Sequence, residues 1–560
     1  MLPADHISPT SHGISAANRP WTQRPDFWLI VSAVLANLVW RLVRYGLNFP
    51  IWGDEAMLAV NICDRDWIGL TRTLDYNQTA PLGFLWAERA MLLVFGNSLY
   101  ALRLLPLISG ILSTLLFVRL ATSWLPRRSA VLAIAVFCAS YYPVRHGTEI
   151  KPYASDLFLC LCLTLQGLHL HHSLDRNRAW LTFVLWSVFG VWCSYPAVFV
   201  SGGILLSLLP RALAERRLDH LCCWTLAGGL LCVSFTSMSH ILFSAHAQHI
   251  DALASSEMWR IAFPPLDHPG QVPGWLLRIH AGRMMAYPVG GDDWASLPTL
   301  ILVIIGISSL LRSRRGQALG LFLAPAAAAF AAACFHKYPY GGSARTSLFL
   351  APAICLLTGS GLYRLCRRRP AGVVLRKRMR VICSLLLLLT CGGVLRDIAR
   401  PYKTRSDEQL RNAFTELINR SGPQEPWIIV NQLANHEPNQ TVMPGGLTVP
   451  DFDFYTRTLG RSRLLPSQRL SELTERQPVI WLVTHLSTRH PIDPAHQAHA
   501  FSVLASAYVR AEHISWQVDA FESLQAWRFS LPQAGIPTGN SRRRMAISGP
   551  PRRSSVTHGN

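Results

Sequence analysis

Apolar and polar positions alternate along this chain in long blocks, not with the short period of a half-buried strand. Runs of spanning length, about 17–25 residues, fall near 27–44, 98–121, 129–145, 153–170, 178–195, 196–210, 220–243, 295–311, 317–335, 346–363 and 379–396. They predict eleven transmembrane helices, the one at 196–210 being the shortest. Pro81 to Gly96 is apolar too, but it is short and carries Glu88 and Arg89 in its middle. It reads as an amphipathic helix lying in the membrane interface. With a second helix at 54–65 it would occupy a first loop spanning 45–97.

Past the last span the pattern changes. Ser406–Asn419 has helical amphipathic spacing, Pro426–Val430 and Pro478–Leu486 read as buried strands, Ala495–Tyr508 as a helix, and residues 513–530 alternate like a strand pair. These predict a small α/β domain over 398–532, after a transmembrane domain over 27–397. Residues 1–26 are polar and lack a signal-peptide cleavage pattern, so the first span is expected to stay as a helix. Residues 533–560, rich in Pro, Gly, Ser and Arg, predict a disordered tail.

Composition agrees with the block pattern. Half of the 560 residues are hydrophobic and only 15% are charged, which excludes an ordinary soluble enzyme. A net charge of +21 suggests nucleic acid until the charges are located. Arg127-Arg128, Arg176, Arg211, Arg216-Arg217, Arg312, Arg314-Arg315 and the run from Arg364 to Arg378 all lie in alternate connections between spans. The other connections, 45–97, 144–152, 244–294 and 336–345, are longer in total yet poorer in Lys and Arg. The positive-inside rule therefore puts the N-terminus in the cytoplasm, and 45–97 and the C-terminal domain outside. Many of the thirteen cysteines sit in apolar runs as small core residues, with no spacing that implies a disulfide framework or a metal site.

Sorted by side, four polar clusters share the outer face: Trp52-Gly53-Asp54-Glu55, Asn77-Gln78-Thr79-Ala80-Pro81-Leu82, the turn from Tyr141 through Arg145 and Glu149-Ile150-Lys151-Pro152 to Tyr153, and His336-Lys337-Tyr338-Pro339-Tyr340-Gly341-Gly342-Ser343-Ala344-Arg345. A carboxylate pair at a membrane edge needs a reason. Asp54 is the candidate base, with Glu55 beside it, and the plain alternative makes Asp54 a helix N-cap. The chain has only four lysines, and two of them, Lys151 and Lys337, lie in these clusters against the charge trend. Cations placed there suggest an anion to be held, and a phosphate at headgroup level is the natural one. Gly341-Gly342 would let the backbone approach such a ligand closely. The plain alternatives pair Lys151 and Arg145 with Glu149 or Asp156, and make Arg103 a snorkelling anchor near the end of its span.

The order of these clusters resembles the GT-C superfamily of membrane glycosyltransferases. It is most similar to the branch of dolichyl-phosphate-mannose protein mannosyltransferases and bacterial lipid A aminoarabinose or galacturonic acid transferases. Asp54-Glu55, Thr79-Ala80-Pro81-Leu82, Phe95-Gly96-Asn97-Ser98 with Ala101-Leu102-Arg103-Leu104, Glu149-Ile150-Lys151-Pro152-Tyr153 and Tyr338–Arg345 carry the likeness across about residues 27–363. The sequence lacks the His or Lys that the family often has before Pro81, and has Lys151 where Arg is usual. The resemblance implies a polytopic α-helical membrane protein of GT-C type with about eleven spans and a small C-terminal α/β extracytoplasmic domain. It implies transfer of a sugar from a polyprenyl-phosphate donor to an outer-face glycan, lipid or protein, with Asp54 or Glu55 as the catalytic carboxylate. Lys151, Arg345, Arg145, Lys337 and Tyr153 would bind the donor phosphate. The implied setting is the cell inner membrane with a periplasmic active site; no nucleic acid enters, and the need for a divalent cation is left open. A transporter or flippase for lipid-linked glycans, and a polymerase or ligase using diphosphate-linked donors, are the alternatives.

Overall fold

Uncharged apolar runs satisfy every backbone group internally only as helices, and the computed structural model of the chain forms helix in each of the eleven. It describes residues 25–243, 257–367, 372–422, 425–430, 454–455, 478–487, 494–518 and 522–532. The expectations for 1–24 and 533–560 lie outside the described residues.

In chain order the helices are α1 (Pro25–Gly46), α2 (Gly53–Asp64), α3 (Leu82–Phe95), α4 (Leu99–Trp124), α5 (Arg127–Cys138), α6 (Tyr141–Arg145), α7 (Tyr153–His172), α8 (Asn177–Cys193) and α9 (Ala197–Ala214). There follow α10 (Leu218–Phe243), α11 (Glu257–Arg260), α12 (Val272–Ala281), α13 (Leu297–Leu311), α14 (Gly320–Cys334), α15 (Ala351–Arg367), α16 (Gly372–Ala399), α17 (Arg405–Arg420) and α18 (Pro494–Ala507). Among the described residues eight helical segments are long and apolar enough to cross a membrane: α1, α4, α7, α9, α10, α16, and α14 and α15 each taken with the short 3-10 turn before it, as Arg315–Cys334 and Leu348–Arg367. The other three apolar segments form shorter helices, α5 of 12 residues, α8 of 17 and α13 of 15.

The segment at 129–145 is one apolar run in the sequence but two helices in the fold. Ser140 turns the backbone extended between α5 and α6, and its hydroxyl bonds back to the Val136 carbonyl at 2.7 Å. A break of this kind leaves helix-terminal carbonyls to be satisfied. Two buried polar residues on α1 do so: Asn37 donates to the Cys138 carbonyl at 2.8 Å and Arg41 to the Pro143 carbonyl at 2.8 Å. Room for Arg41 comes from Gly110 and Gly147, where an added Cβ would lie 2.3 and 2.5 Å from its Nη1. The polar residues of α1 thus hold open the turn that leads to Glu149 and Lys151.

The C-terminal sheet has the order β1-β2-β4-β3, from β1 (Trp427–Val430), β2 (Val479–Ser487), β3 (Val509–Gln517) and β4 (Glu522–Ser530). β1 and β2 run parallel; the other pairs are antiparallel, with Trp427 opposite Trp481 and Ile480 opposite Phe529. Strand alternation sends Trp481, Val483, Leu524 and Ala526 to one face and Ile480, Leu482, Trp527 and Phe529 to the other. The second face is covered by α18 through Leu504 and Phe501. The first meets Leu410, Phe414 and Leu417 of α17, in one buried cluster with Ile51, Leu58, Val60, Phe84 and Leu102. The small domain is therefore packed onto α2 and α3, and shares their core.

Two expectations change here. The helix α3 does not float its charges: Glu88 is fully buried, with neither carboxylate oxygen hydrogen-bonded, while Arg89 donates to the Ile62 and Cys63 carbonyls at the end of α2. Arg103 is no snorkelling anchor either, since it is only 3% exposed and is salt-bridged to Glu55 at 2.7 Å. Both changes have one cause. The fold encloses both charges, so they find protein partners or burial where lipid headgroups and water would otherwise stand.

Candidate functional site

The helix α2 begins after Trp52, which has an extended backbone and makes no side-chain cap hydrogen bond. Asp54 is the second residue of the helix, and its carboxylate is used elsewhere. One oxygen lies 3.0 Å from Lys151 Nζ and the other 2.5 Å from Arg345 Nη1. Three segments distant in sequence meet at this carboxylate: the start of α2, the turn before α7, and the loop between α14 and α15. Lys151 also donates to Gln78 Oε1 at 2.7 Å, and the Arg345 guanidinium lies 5.3 Å from the ring centre of Trp259. Tyr153 stands edge-on to His146 with ring centres 5.2 Å apart. Burial lowers the Arg345 guanidinium, and the neighbouring Tyr153 and Asp54 raise it past its ordinary value. Burial pushes the Asp54 carboxyl up, but Lys151 and then Arg345 outweigh it and hold Asp54 below the usual carboxylate range.

Glu55 is turned away from this group. It is 1% exposed, bonded to Arg103 and accepting the Ile150 amide hydrogen at 2.9 Å. Adjacent helical residues project about 100° apart, so when Asp54 faces the cations Glu55 must enter the core. Its role is to tie α2 to α4 and to the turn before Lys151. Arg145 takes the structural alternative considered for it, an ion pair with Glu149 at 2.7 Å, and His146 Nδ1 lies 2.6 Å from the other Glu149 oxygen. Burial opposes the Glu149 charge, yet His146 and Arg145 hold it well below the carboxylate range. Lys337 is exposed just past the end of α14 and does not line the cavity described below.

The glycine pair serves the scaffold more than a ligand. Gly341 and Gly342 have φ of +71° and +67°. A Cβ on Gly341 would meet Ile279 of α12 at 2.3 Å, and one on Gly342 would meet Ala262 at 2.9 Å. Left-handed backbone and close packing together require glycine at both positions, and the resulting turn delivers Arg345.

A cavity of about 620 Å³ opens beside Arg345. Its walls include Trp52, Tyr142 and Trp259, and four cations face it: Arg145, Arg283, Arg345 and Lys403. Lys151 and Asp54 are not lining residues; they support the wall through Arg345. Aromatic faces beside clustered cations fit a ligand that joins a sugar to a phosphate. Among the described residues no group of three His, Cys, Asp or Glu side chains converges as a metal site. Sequence reasoning named Asp54, Lys151, Arg345 and Arg145 but passed over Gln78, Trp52, Trp259 and Lys403. Gln78 and Trp52 lay inside quoted clusters. Lys403 carried a signal as well, being one of four lysines in the chain and lying seven residues past the last apolar run.

Residues 79–240 match the family model of dolichyl-phosphate-mannose-protein mannosyltransferases. No curated protein sequence matches the chain. Among solved structures, ArnT from Cupriavidus metallidurans bound to undecaprenyl phosphate is similar at 14% identity, over 90% of this chain and 98% of that one, with a TM-score of 0.52. Apo ArnT from the same organism is similar at 13% identity, over 89% and 97% of the two chains, with a TM-score of 0.50. The oligosaccharyltransferase AglB from Archaeoglobus fulgidus, in complex with an inhibitory peptide and a dolichol-phosphate, is 11% identical over 93% and 76%, with a TM-score of 0.44.

Proposed function

From a multi-pass membrane chain with the GT-C fold as the premise, we propose a glycosyltransferase that moves a sugar from a polyprenyl-phosphate donor to an acceptor at the outer membrane face. The observation that carries the reading is the carboxylate of Asp54 held between Lys151 and Arg345 at the edge of a cation-lined cavity. The residues match the two demands of the reaction, a base for the acceptor and positive charge for the departing phosphate. The likeness of the fold to ArnT, whose structure holds undecaprenyl phosphate, supports the donor class.

In the proposed step the acceptor hydroxyl oxygen attacks the anomeric carbon and its proton passes to Asp54. The bond from the anomeric carbon to the phosphate oxygen breaks, and the polyprenyl phosphate departs with the electron pair. A single displacement inverts the anomeric configuration. Arg345 and Lys151 compensate the charge that grows on the leaving oxygen, with Tyr153 beside them. Before the donor arrives both cations are occupied by Asp54, so donor phosphate must draw at least Arg345 away. That transfer releases one carboxylate oxygen to accept a proton, and relieves the charge that depresses its basicity. The Arg-rich connections on the opposite side of the spans support an outer placement of the site, and we propose the inner membrane as its setting.

The deciding experiment incubates purified protein with polyprenyl-phosphate sugars and a cell-envelope acceptor fraction, and follows release of polyprenyl phosphate with mass spectrometry of the glycans. Acceptor-dependent release is expected. Transport of intact lipid-linked glycan in proteoliposomes, with no release, would replace this reading by a flippase.

A further inference from the structure

Of the four cations facing the cavity, three already have carboxylate partners: Arg145 with Glu149, Arg283 with Asp292, and Arg345 with Asp54. Lys403 has none within ion-pairing distance among the described residues. Its ammonium instead stands over the ring of Trp52. We infer that Lys403 is a ligand of the donor phosphate, held in place by the C-terminal domain. The inference rests on the polyprenyl-phosphate reading above.

The argument is geometric. Trp52 directly precedes the start of α2 and stands two residues before Asp54, so a cation on its face lies beside the proposed base. Lys403 is placed there by its neighbours. It sits in the short link between α16 and α17, and the next residue, Thr404, begins α17 with a reciprocal capping box to Asp407. The same helix is anchored to the membrane half through Arg411, which donates to the Asn48 carbonyl at 2.8 Å, and through the core it shares with α2. An exposed lysine with four rotatable carbons would ordinarily lose much entropy on binding an anion; these attachments remove part of that cost. The segment before Pro81, Asn77-Gln78-Thr79-Ala80, carries no cation of its own, and its Gln78 is bonded to Lys151. Lys403 thus provides a positive charge from a different part of the chain.

Charge supports the placement. Although the residue is exposed as a whole, desolvation of its ammonium against Trp52, followed by repulsion from Arg145, pushes Lys403 down to about 8. The charged groups that face it are Arg145, Glu149, Asp54 and Arg345, with Arg283, Asp292, His146 and Tyr142 around the same cavity. Burial shifts His146 below its ordinary value, away from this range. A bound phosphate would raise Lys403 again. Donor affinity should then be level below about pH 8 and fall as pH rises above it.

The test measures binding of undecaprenyl phosphate to the detergent-solubilised full chain, for the wild type, Lys403→Ala and Lys403→Arg, across pH 7–10, with Tm as the check on folding. Lys403→Ala is expected to weaken binding about tenfold at unchanged Tm, the scale of one charge-assisted contact. Lys403→Arg should bind nearly as the wild type does, and should lose the fall in affinity above pH 8. Wild-type binding with Lys403→Ala within twofold of it would overturn this inference alone. Equal weakening in both variants, with a wild-type affinity flat through pH 8, would assign Lys403 a structural role and overturn it too. No binding by the wild type would overturn the donor reading, and this inference with it. Inorganic phosphate in place of the lipid separates the two sources of phosphate: Lys403-dependent binding of inorganic phosphate without such dependence for the lipid also counts against the proposal.

Discussion

The Asp54→Asn variant should bind donor more tightly and turn it over far more slowly. In the free protein the two Asp54 oxygens accept from Lys151 and Arg345 at 3.0 and 2.5 Å. Hydrogen bonds to charged groups are worth about 1.5–3 kcal/mol each. A phosphate that recruits Arg345 must displace one of them, so the carboxylate acts as an internal competitor of the donor. Asparagine keeps one oxygen acceptor but removes the negative charge, which halves the competition at the least. Relief of about 1.4 kcal/mol is a tenfold tighter dissociation constant. The same change removes the proton acceptor, and loss of a general base costs about 10²–10⁴-fold in rate. The assay is undecaprenyl phosphate binding beside single-turnover transfer on the same preparation. Transfer within tenfold of wild type sinks the base assignment. Binding that is weaker or unchanged sinks the competition argument, because it would mean that phosphate and carboxylate do not share Arg345.

The remaining expectations divide the site from its scaffold. Arg345→Ala should weaken donor binding by at least about tenfold, and a variant with full affinity would remove Arg345 from the phosphate site. Arg103→Ala leaves Glu55 buried without its cation and should cost about 3–5 kcal/mol of stability, read as a large fall in Tm. Glu55→Gln retains an acceptor for the Ile150 amide, so the fraction that folds should keep near wild-type turnover per molecule; loss of turnover at normal Tm would restore Glu55 as a catalytic group. Burial pushes the Glu88 carboxyl well up, so the wild type loses stability as pH rises above the unfolded carboxyl range. Glu88→Gln should therefore gain in Tm relative to wild type as pH rises above the unfolded carboxyl range, and a constant difference would show that Glu88 is not buried as a neutral acid. Gly147→Ala should lower Tm by forcing Arg41 from the Pro143 carbonyl, an overpacking cost of about 1–3 kcal/mol.

Much of the fold was legible because lipid and water impose separate rules on long segments. Each of the eleven apolar runs forms helix, and the C-terminal elements were read with limits close to those observed, except that β3 starts at Val509 and not near 513. What could not be read is what happens where those segments meet. The broken run at Ser140 looks continuous because Ala139, Ser140 and Tyr141 tolerate a helix; only Asn37 and Arg41, 101 and 102 positions away from the carbonyls they bond, make the break affordable. Likewise Glu88 and Arg103 were read as charges at a wet interface, since nothing local announces that the fold buries them.

The split between Asp54 and Glu55 shows how far sidedness alone can go. Charge pattern gathers Asp54, Glu55, Lys151, Arg145, Lys337 and Arg345 on one face, but it sets no distances among them. The helix period then sends two neighbouring carboxylates in different directions, and each acquires the cation that its direction offers. Glu55 meets Arg103, whose position is fixed within α4, and the pair becomes part of the core. Asp54 meets Lys151 and Arg345, which stand in two turns at the edge of the cavity. In the proposed mechanism those cations exchange a carboxylate for a phosphate. The proposed chemistry depends on that difference, since a base locked as Glu55 is locked would have no oxygen to offer.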